Sequence, residues 1–270
     1  MRKKEKSSIG IFSAMLKSDF HRAFISTNFV IGIIFTVIIF FFGSVGMSGS
    51  TVSAMAVFNN SFKYNNMINM LFLTATFAYS SSFCLDWQNQ FILPLIIRSS
   101  KGHYTISKCI TTAVAGGMTI MIGAGVFIGY ICIVQPSILP SMYEIEIEFF
   151  YQAFGDLLVK GQVGLFFLSY LYVIFLQGAF FSTLGLMMSS YIPNRYVAYV
   201  SPFALGFILN KISNILDFPI WLDPVKLSTV RILDTPASTI LVQVTTAFLS
   251  FILICDFLFV RTVKRRISNG

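Results

Sequence analysis

Charged residues are scarce in this sequence. Aspartate, glutamate, lysine and arginine make up 11% of its 270 residues, whereas 56% are hydrophobic and 30 residues are phenylalanine. A soluble domain carries charge on about a quarter of its residues, because its surface must stay wetted. Helices in a bilayer need no such cover, since their backbone groups are satisfied internally and their side chains face lipid. The sequence therefore predicts an all-α integral membrane protein.

The side chains that most often carry out chemistry are also few. Only two histidines occur, and His21 and His103 lie in separate segments between apolar runs. There is no His-Glu-x-x-His metalloprotease helix and no Gly-x-Ser-x-Gly hydrolase elbow. The cysteines form no Cys-x-x-Cys pair, and each lies inside or beside an apolar run: Cys84, Cys109, Cys132 and Cys255. They are predicted to be small packing residues, so neither a metal site nor a disulfide framework is expected.

Nucleotide and nucleic-acid binding are excluded on different grounds. A P-loop needs Gly-x-x-x-x-Gly-Lys followed by Ser or Thr, and this pattern is absent from the sequence. The Gly116-Gly117 pair lies inside an apolar run, not after a strand. The net charge of +8 comes from basic clusters between apolar runs, not from a continuous basic patch with interleaved aromatics. No cofactor is therefore expected on this chain, and no nucleic acid as its partner.

Six apolar segments have the length of a membrane span, about 20 residues. They are 29–47, 67–85, 109–134, 163–189, 196–216 and 238–260. The fifth is the weakest, since Pro202 interrupts it and polar residues follow its apolar part. Six spans place most lysines and arginines on the cytoplasmic side, whereas five would put the basic N-terminal tail or Arg261–Arg266 outside. The sequence thus predicts six spans in a bacterial cell membrane, with both termini cytoplasmic.

Segments outside the spans have patterns of their own. Residues 8–24 carry apolar side chains at helical spacing and predict an amphipathic helix along the inner membrane surface, as an anchor or as a partner contact. On the outer side, prolines punctuate residues 210–237, so short helices are expected before the last span. Residues 135–162 alternate acidic and apolar side chains over a short stretch, and their role stays open.

The main cytoplasmic segment, residues 86–108, is too polar to span and too apolar for an idle linker. Trp87, Phe91 and Leu95 recur at intervals of four, which predicts one apolar side of a helix beginning near Asp86. Pro94 is placed to begin a second short helix. This segment is therefore predicted to pack against a partner.

Two polar side chains and a set of glycines stand out inside the spans. Asp256 lies about one turn from the end of its span, which favours an ion pair with the basic residues that follow, with a role in transport as the alternative. Gln177 lies mid-span and needs a polar partner, either an interhelical hydrogen bond or a point on a substrate path. Gly117, Gly125 and Gly129 predict a face of close helix packing.

One stretch of sequence, together with the order of the spans, points to a known family. The stretch is Ser81-Ser82-Phe83-Cys84-Leu85-Asp86-Trp87, followed by Pro94, Arg98, Lys101 and Lys108 and then by Gly116-Gly117. With the amphipathic first helix, the six spans and the helical loop after the second span, it resembles the permease subunits of type-2 ATP-binding-cassette exporters. The long outer segment 135–162 departs from the shortest members of that family.

The resemblance implies a half-transporter. Two such permeases, identical or paired with a relative, would join two copies of an ATPase subunit that binds ATP and Mg²⁺. The residues that would form the coupling helix seated on the ATPase are Asp86, Trp87, Phe91, Leu95 and Arg98. The implied function is export of a hydrophobic or amphipathic cargo, such as a peptide, a drug or a lipid.

Two functions of other classes stay open. One is an ATPase-free membrane sensor or immunity protein that binds a peptide. The other is a membrane-embedded enzyme, against which stands the lack of a convergent set of titratable residues within the predicted spans. In the transporter reading this chain is not an enzyme, and ATP hydrolysis takes place on a separate partner chain.

Overall fold

The computed structural model describes residues 2–46, 52–61, 68–139, 153–216, 219, 223–228 and 236–269. Every regular element within these ranges is a helix. The predicted all-α class is therefore confirmed for the described part of the chain.

Twelve helices lie within these ranges. In chain order they are α1 (Arg2–Phe24), α2 (Thr27–Ser44), α3 (Ala54–Asn59), α4 (Ile68–Phe77), α5 (Ser82–Gln88), α6 (Ile92–Arg98), α7 (Lys101–Val134), α8 (Gly155–Val159), α9 (Val163–Tyr191), α10 (Arg195–Ile215), α11 (Pro224–Ser228) and α12 (Ala237–Asn269). Serine caps explain two of the starts: Ser26 Oγ accepts from the Phe29 amide and Ser100 Oγ from the His103 amide, both at 3.1 Å.

Four of these helices are long and apolar enough to cross a membrane. They are α2, α7, α9 and α12, with mean hydropathies between 1.9 and 2.1 over their most apolar windows. Large apolar side chains on their outer faces are exposed, including Phe42, Val242 and Leu253. A lipid environment accounts for such faces, which water would penalise. The chain is therefore membrane-embedded, as predicted.

The other two predicted spans take a different form, so a six-span arrangement is not confirmed. Residues 67–85 are divided between α4 and α5 by a turn at residues 78–81. Within the described residues α4 has 10 residues, too few to cross a bilayer by themselves. The 196–216 segment forms α10, a helix of 21 residues with Pro202 inside it, but it is not among the four helices that qualify by length and hydropathy.

Helix α9 lies at the centre of the bundle, where it packs against α4, α7, α10 and α12. Its side chains are buried along most of its length, and Tyr170, Val173, Ile174 and Phe181 have no exposed surface. The Phe181 ring stacks on that of Phe72 with 3.6 Å between centroids. Buried aromatic rings of this size supply much of the core.

Glycines allow α7 and α9 to cross closely. A Cβ atom added at Gly178 would lie 2.7 Å from the Gly116 carbonyl oxygen, and one at Gly116 would lie 2.2 Å from Ser182 Cβ. Neither site therefore has room for a methyl group. This is how small residues bring membrane helices together.

Hydroxyl groups also join the helices inside the bundle. Thr36 Oγ1 of α2 donates to Thr74 Oγ1 of α4 at 3.0 Å. Ser182 Oγ of α9 donates to the Thr112 carbonyl of α7 at 3.0 Å and lies 3.1 Å from Ser80 Oγ. Such bonds add about 1 kcal/mol each in membrane proteins. They fix the register of α4, α7 and α9.

The predicted outer segments are described only in part. Residues 140–152, which include the acidic stretch of the predicted segment 135–162, lie outside the described residues, and Gly155–Val159 form α8. Asp156 Oδ2 of α8 accepts from the Ala237 amide at the start of α12, at 3.1 Å. Within residues 210–237 the short helix α11 is described, whereas Trp221 lies outside the described residues.

Candidate functional site

The predicted coupling segment forms two short helices at one end of the bundle. Helix α5 ends at Gln88, and Gln90 adopts a left-handed conformation with φ of 57° before α6 begins at Ile92. Pro94 lies in the first turn of α6, where its missing amide hydrogen leaves no intrahelical bond unmade. The end of the 86–108 segment belongs to α7, which begins at Lys101. We call this end of the bundle the basic end, after Arg22, Lys108 and Arg266.

The five residues predicted to seat on an ATPase lie in three different settings. Asp86 is 1% exposed and points into the bundle. Trp87 and Leu95 are half-buried against an apolar cluster that includes Phe83. Phe91 is 56% exposed, and the side chain of Arg98 lies outside the described residues. The stripe predicted at intervals of four thus does not lie on one continuous helix.

A different set of side chains forms the outer apolar surface here. Leu93 is 65% exposed and Ile97 is 83% exposed, and both lie on α6 next to Phe91. We call these three residues the α6 face. Beside it is a groove of about 890 Å³ lined in part by Trp87 and Ile267. Exposed apolar patches of this kind mark contact sites for a partner or a membrane.

A buried charge network lies directly behind α5. The Lys108 ammonium on α7, with no exposed side-chain surface, is 2.9 Å from Asp86 Oδ2 and 3.0 Å from Asp19 Oδ1 of α1. It also donates to the Tyr79 hydroxyl at 2.8 Å. The Tyr79 hydroxyl in turn donates to Asp19 Oδ1 at 2.6 Å. One lysine thus joins three separate parts of the chain.

The remaining oxygen atoms of both acids are satisfied as well. Ser107 Oγ donates to Asp19 Oδ2 at 2.6 Å. Tyr104 donates to Asp86 Oδ2, and Arg22 donates to Asp86 Oδ1, both at 3.0 Å. Two acids and two bases make the cluster neutral, and every carboxylate oxygen has a donor. A buried ionic group is tolerated only when it is paired and hydrogen-bonded in this way.

The pKa shifts of Asp86 and Arg22 follow from the charged side chains beside them. Burial alone would raise the pKa of Asp86, but Lys108 and Arg22 outweigh it and hold the pKa of this carboxyl below its ordinary value. Burial likewise works to lower the pKa of Arg22, and Tyr79, Asp86 and Asp19 together raise it. Asp86 is therefore a carboxylate, and Arg22 a cation, at neutral pH.

This network makes α1, α5 and α7 one unit at the basic end. Of its members, Asp86 was predicted from the sequence to have a different role, and Lys108 entered only through the family resemblance. Two features of the sequence could have indicated this network. Asp19 and Arg22 are three residues apart on the amphipathic helix, and Asp86 and Lys108 lie at opposite ends of the segment 86–108. Asp19 and Lys108 are 89 positions apart, so their pairing is a property of the fold.

The polar residues predicted inside the spans lie elsewhere. Gln177 has no exposed surface, and neither atom of its amide has a hydrogen-bond partner among the described residues. Asp256 forms no ion pair with a described side chain. Its Oδ1 atom is buried without a hydrogen-bond partner among the described residues. Neither Gln177 nor Asp256 is part of the charge network.

The three predicted packing glycines differ in their surroundings. A Cβ at Gly117 would lie 2.6 Å from the Phe175 ring, so this glycine lies at the α7–α9 contact. Gly125 and Gly129 have nothing within 4 Å of an added Cβ. No described residue therefore packs closely against these two positions.

No group of three or more His, Cys, Asp or Glu side chains is arranged to hold a metal ion within the described ranges. Comparisons with known proteins add no relative: no family model matches the sequence, and neither curated proteins nor solved structures give a significant match.

Proposed function

We propose that this chain is the transmembrane subunit of an ATP-binding-cassette exporter. It would pair with a second permease, a copy of itself or a relative, and with two copies of a separate ATPase subunit carrying ATP and Mg²⁺. The basic end would face the cytoplasm, where the ATPase is, in accord with the bias of lysine and arginine toward that side. The spans not confirmed as such, 67–85 and 196–216, would complete a six-span subunit.

The α6 face is the observation that carries this proposal. Phe91, Leu93 and Ile97 expose an apolar surface on a short helix, and no described part of the chain covers it. A soluble ATPase with an apolar groove is a partner of matching chemistry, because burial of these side chains would drive the association.

The charge network supports the mechanical part of the proposal. A coupling element must transmit the closure of the ATPase subunits to the spans, so it has to move with them as one body. The ion pairs of Asp86 with Lys108 and Arg22 fix α5 to α7 and α1. A push on α6 would then tilt α7, and α9 with it, because α7 and α9 are in close contact at Gly116 and Gly178.

The cargo we propose is hydrophobic or amphipathic, such as a peptide, a drug or a lipid. The motivation is the number of phenylalanines, 30 in the whole chain, many of which lie in the bundle core. Gln177, buried mid-helix without a described partner, is the polar position that such a path would expose when α9 moves. Export follows from the family resemblance.

The decisive experiment is co-purification of the ATPase with variants of the α6 face. Ile97→Asp would strand a carboxylate in a dry contact, with a loss on the order of 3–5 kcal/mol in the association. Since about 1.4 kcal/mol is a factor of ten, the complex should come apart. Asn89→Asp is the matched control, because it adds a carboxylate to an exposed side chain in the turn between α5 and α6.

Equal recovery of the ATPase with both variants would contradict the coupling role. The lone chain should not hydrolyse ATP, so measurable hydrolysis would also count against the proposal. A peptide-binding sensor would give a third pattern, with no ATPase recovered from the unmodified chain and peptide binding unchanged by Ile97→Asp.

A further inference from the structure

A second cavity at the basic end has a different character from the α6 groove. It has a volume of about 570 Å³ and lies where α5, the end of α9 and the last turns of α12 meet. Arg261, Arg265 and Arg266 line it, together with Trp87 and other side chains of these helices. A cavity with three guanidinium groups selects an anion.

The cavity is partly preorganised. The Arg266 guanidinium carbon lies 5.4 Å from the centre of the Trp87 ring, and the guanidinium donates to the Tyr191 carbonyl. Arg261 and Arg265 lie one turn apart on α12 and are exposed. Neither forms an ion pair with a described side chain. Two arginine side chains are thus available to one ligand.

The cavity opens along an apolar stripe of the same helix. Ile254 and Leu258 precede Arg261 and Arg265 at helical spacing, so all four lie along one side of α12. Leu258 lines the cavity, and Ile254, one turn further into the span, is 56% exposed. A ligand here would meet guanidinium groups at one end and a lipid-facing helix surface at the other.

We propose that this cavity binds an anionic phospholipid, with its phosphate between Arg261 and Arg265 and its acyl chains along Leu258 and Ile254. The apolar stripe favours a lipid over an acidic protein surface or a free phosphate, neither of which would use it. Basic pockets at the cytoplasmic ends of membrane helices bind lipid headgroups by the same chemistry. Because Trp87 belongs to both this cavity and the α6 groove, a bound lipid would lie beside the α6 face.

The test measures lipid binding to the full chain in a neutral detergent by native mass spectrometry. Dioleoyl phosphatidylglycerol should bind more tightly than dioleoyl phosphatidylcholine. Arg261→Gln with Arg265→Gln should remove that preference, with a loss on the order of tenfold in affinity for the anionic lipid. No ATPase is present, so the result does not depend on the transporter proposal.

Lys264→Gln is the matched control for the single variant Arg265→Gln, because each removes one positive charge from an exposed residue of the same turn and Lys264 does not line the cavity. It should weaken binding by no more than about twofold, as expected for a screened surface charge. Equal losses for Lys264→Gln and Arg265→Gln would overturn the site, since they would indicate attraction by net charge alone.

Thr262→Phe gives an independent variant that keeps every charge. Thr262 lines the cavity and is half-buried, so a phenyl ring there would fill the space that the lipid occupies. Binding of phosphatidylglycerol should fall to the level of phosphatidylcholine. Unchanged binding would contradict the cavity as the site. Competition by inorganic phosphate as strong as that by phosphatidylglycerol would assign the cavity to a free anion and overturn the lipid.

Discussion

The ammonium of Lys108 lies 2.9 Å from a carboxylate oxygen of Asp86, and neither side chain has more than 1% of its surface exposed. This ion pair joins the start of α7 to α5. Because α6 follows α5 after a single turn, the pair lies between the exposed α6 face and the longest helix of the bundle. Its integrity should decide both the stability of the basic end and the position of α6.

Removal of the lysine should be strongly destabilising. Lys108→Met keeps much of the side-chain volume but leaves Asp19 and Asp86 buried beside one remaining cation. The expected loss is about 3–5 kcal/mol, as for other broken buried pairs. The measurement is thermal unfolding in detergent, followed by a thiol-reactive dye that reports exposure of the buried cysteines Cys84, Cys109 and Cys255. Lys17→Met, an exposed site on α1, is the control, and equal transition temperatures for the two variants would refute a structural role for the network.

The stability of the chain should also depend on acid pH through Asp86. The pKa of this carboxyl is lowered in the folded chain, whereas an unfolded aspartate titrates near 3.9. Its contribution is thus complete above about pH 5 and is lost as the pH falls through the folded pKa. Unfolding temperatures from pH 7 downward should fall more steeply for the unmodified chain than for Asp86→Asn. Parallel profiles would show that Asp86 is not a stabilising carboxylate.

Two glycines should respond in opposite ways to the same substitution. Gly178→Ala puts a methyl group 2.7 Å from the Gly116 carbonyl oxygen, so α7 and α9 must separate, at a cost of about 1–3 kcal/mol. Gly129→Ala meets nothing within 4 Å and replaces glycine in a helix, which favours the folded state by up to about 1 kcal/mol. Thermal unfolding of both variants tests this difference. A loss at Gly129 as large as that at Gly178 would contradict this difference in packing.

The predicted topology is open to a labelling test. Lys160, with 64% of its side chain exposed, precedes α9, and Ser268 lies at the end of α12 and is exposed. In a chain whose native cysteines are replaced by alanine, Lys160→Cys should react with an impermeant reagent in intact cells. Ser268→Cys should react only after the inner face is opened, since the C-terminus is predicted to be cytoplasmic. External labelling of Ser268→Cys would exclude the predicted orientation.

Hydropathy was sufficient to locate α2, α7, α9 and α12, because each is a long apolar run that satisfies its own backbone. It was not sufficient for residues 67–85, where an apolar run is broken by the turn before α5. Hydropathy indicates whether a segment favours the membrane interior, but it does not indicate whether the segment forms one continuous helix. The break between α5 and α6 is not marked by glycine or proline either, because the residue with the left-handed conformation there is Gln90.

The location of the candidate site could be predicted from the sequence, but the arrangement of its side chains could not. The segment after residue 86 does lie at one end of the bundle with exposed apolar side chains. The expected stripe failed to lie on one helix because a period of four carries meaning only where the helix is continuous, and the chain turns between Trp87 and Phe91. The charge network was missed because its members are distant in sequence, and local patterns do not report such pairs.

The order of synthesis gives the network a consequence for membrane insertion. The ribosome makes Asp19 and Asp86 before Lys108, so both acids have left the exit tunnel by the time the lysine reaches the translocation machinery. A cation at the edge of a nascent span resists entry into lipid, and a waiting pair of carboxylates relieves that resistance. The first helix would then help to receive the start of α7, and its deletion would leave Lys108 with Asp86 as the one acid of the network beside it.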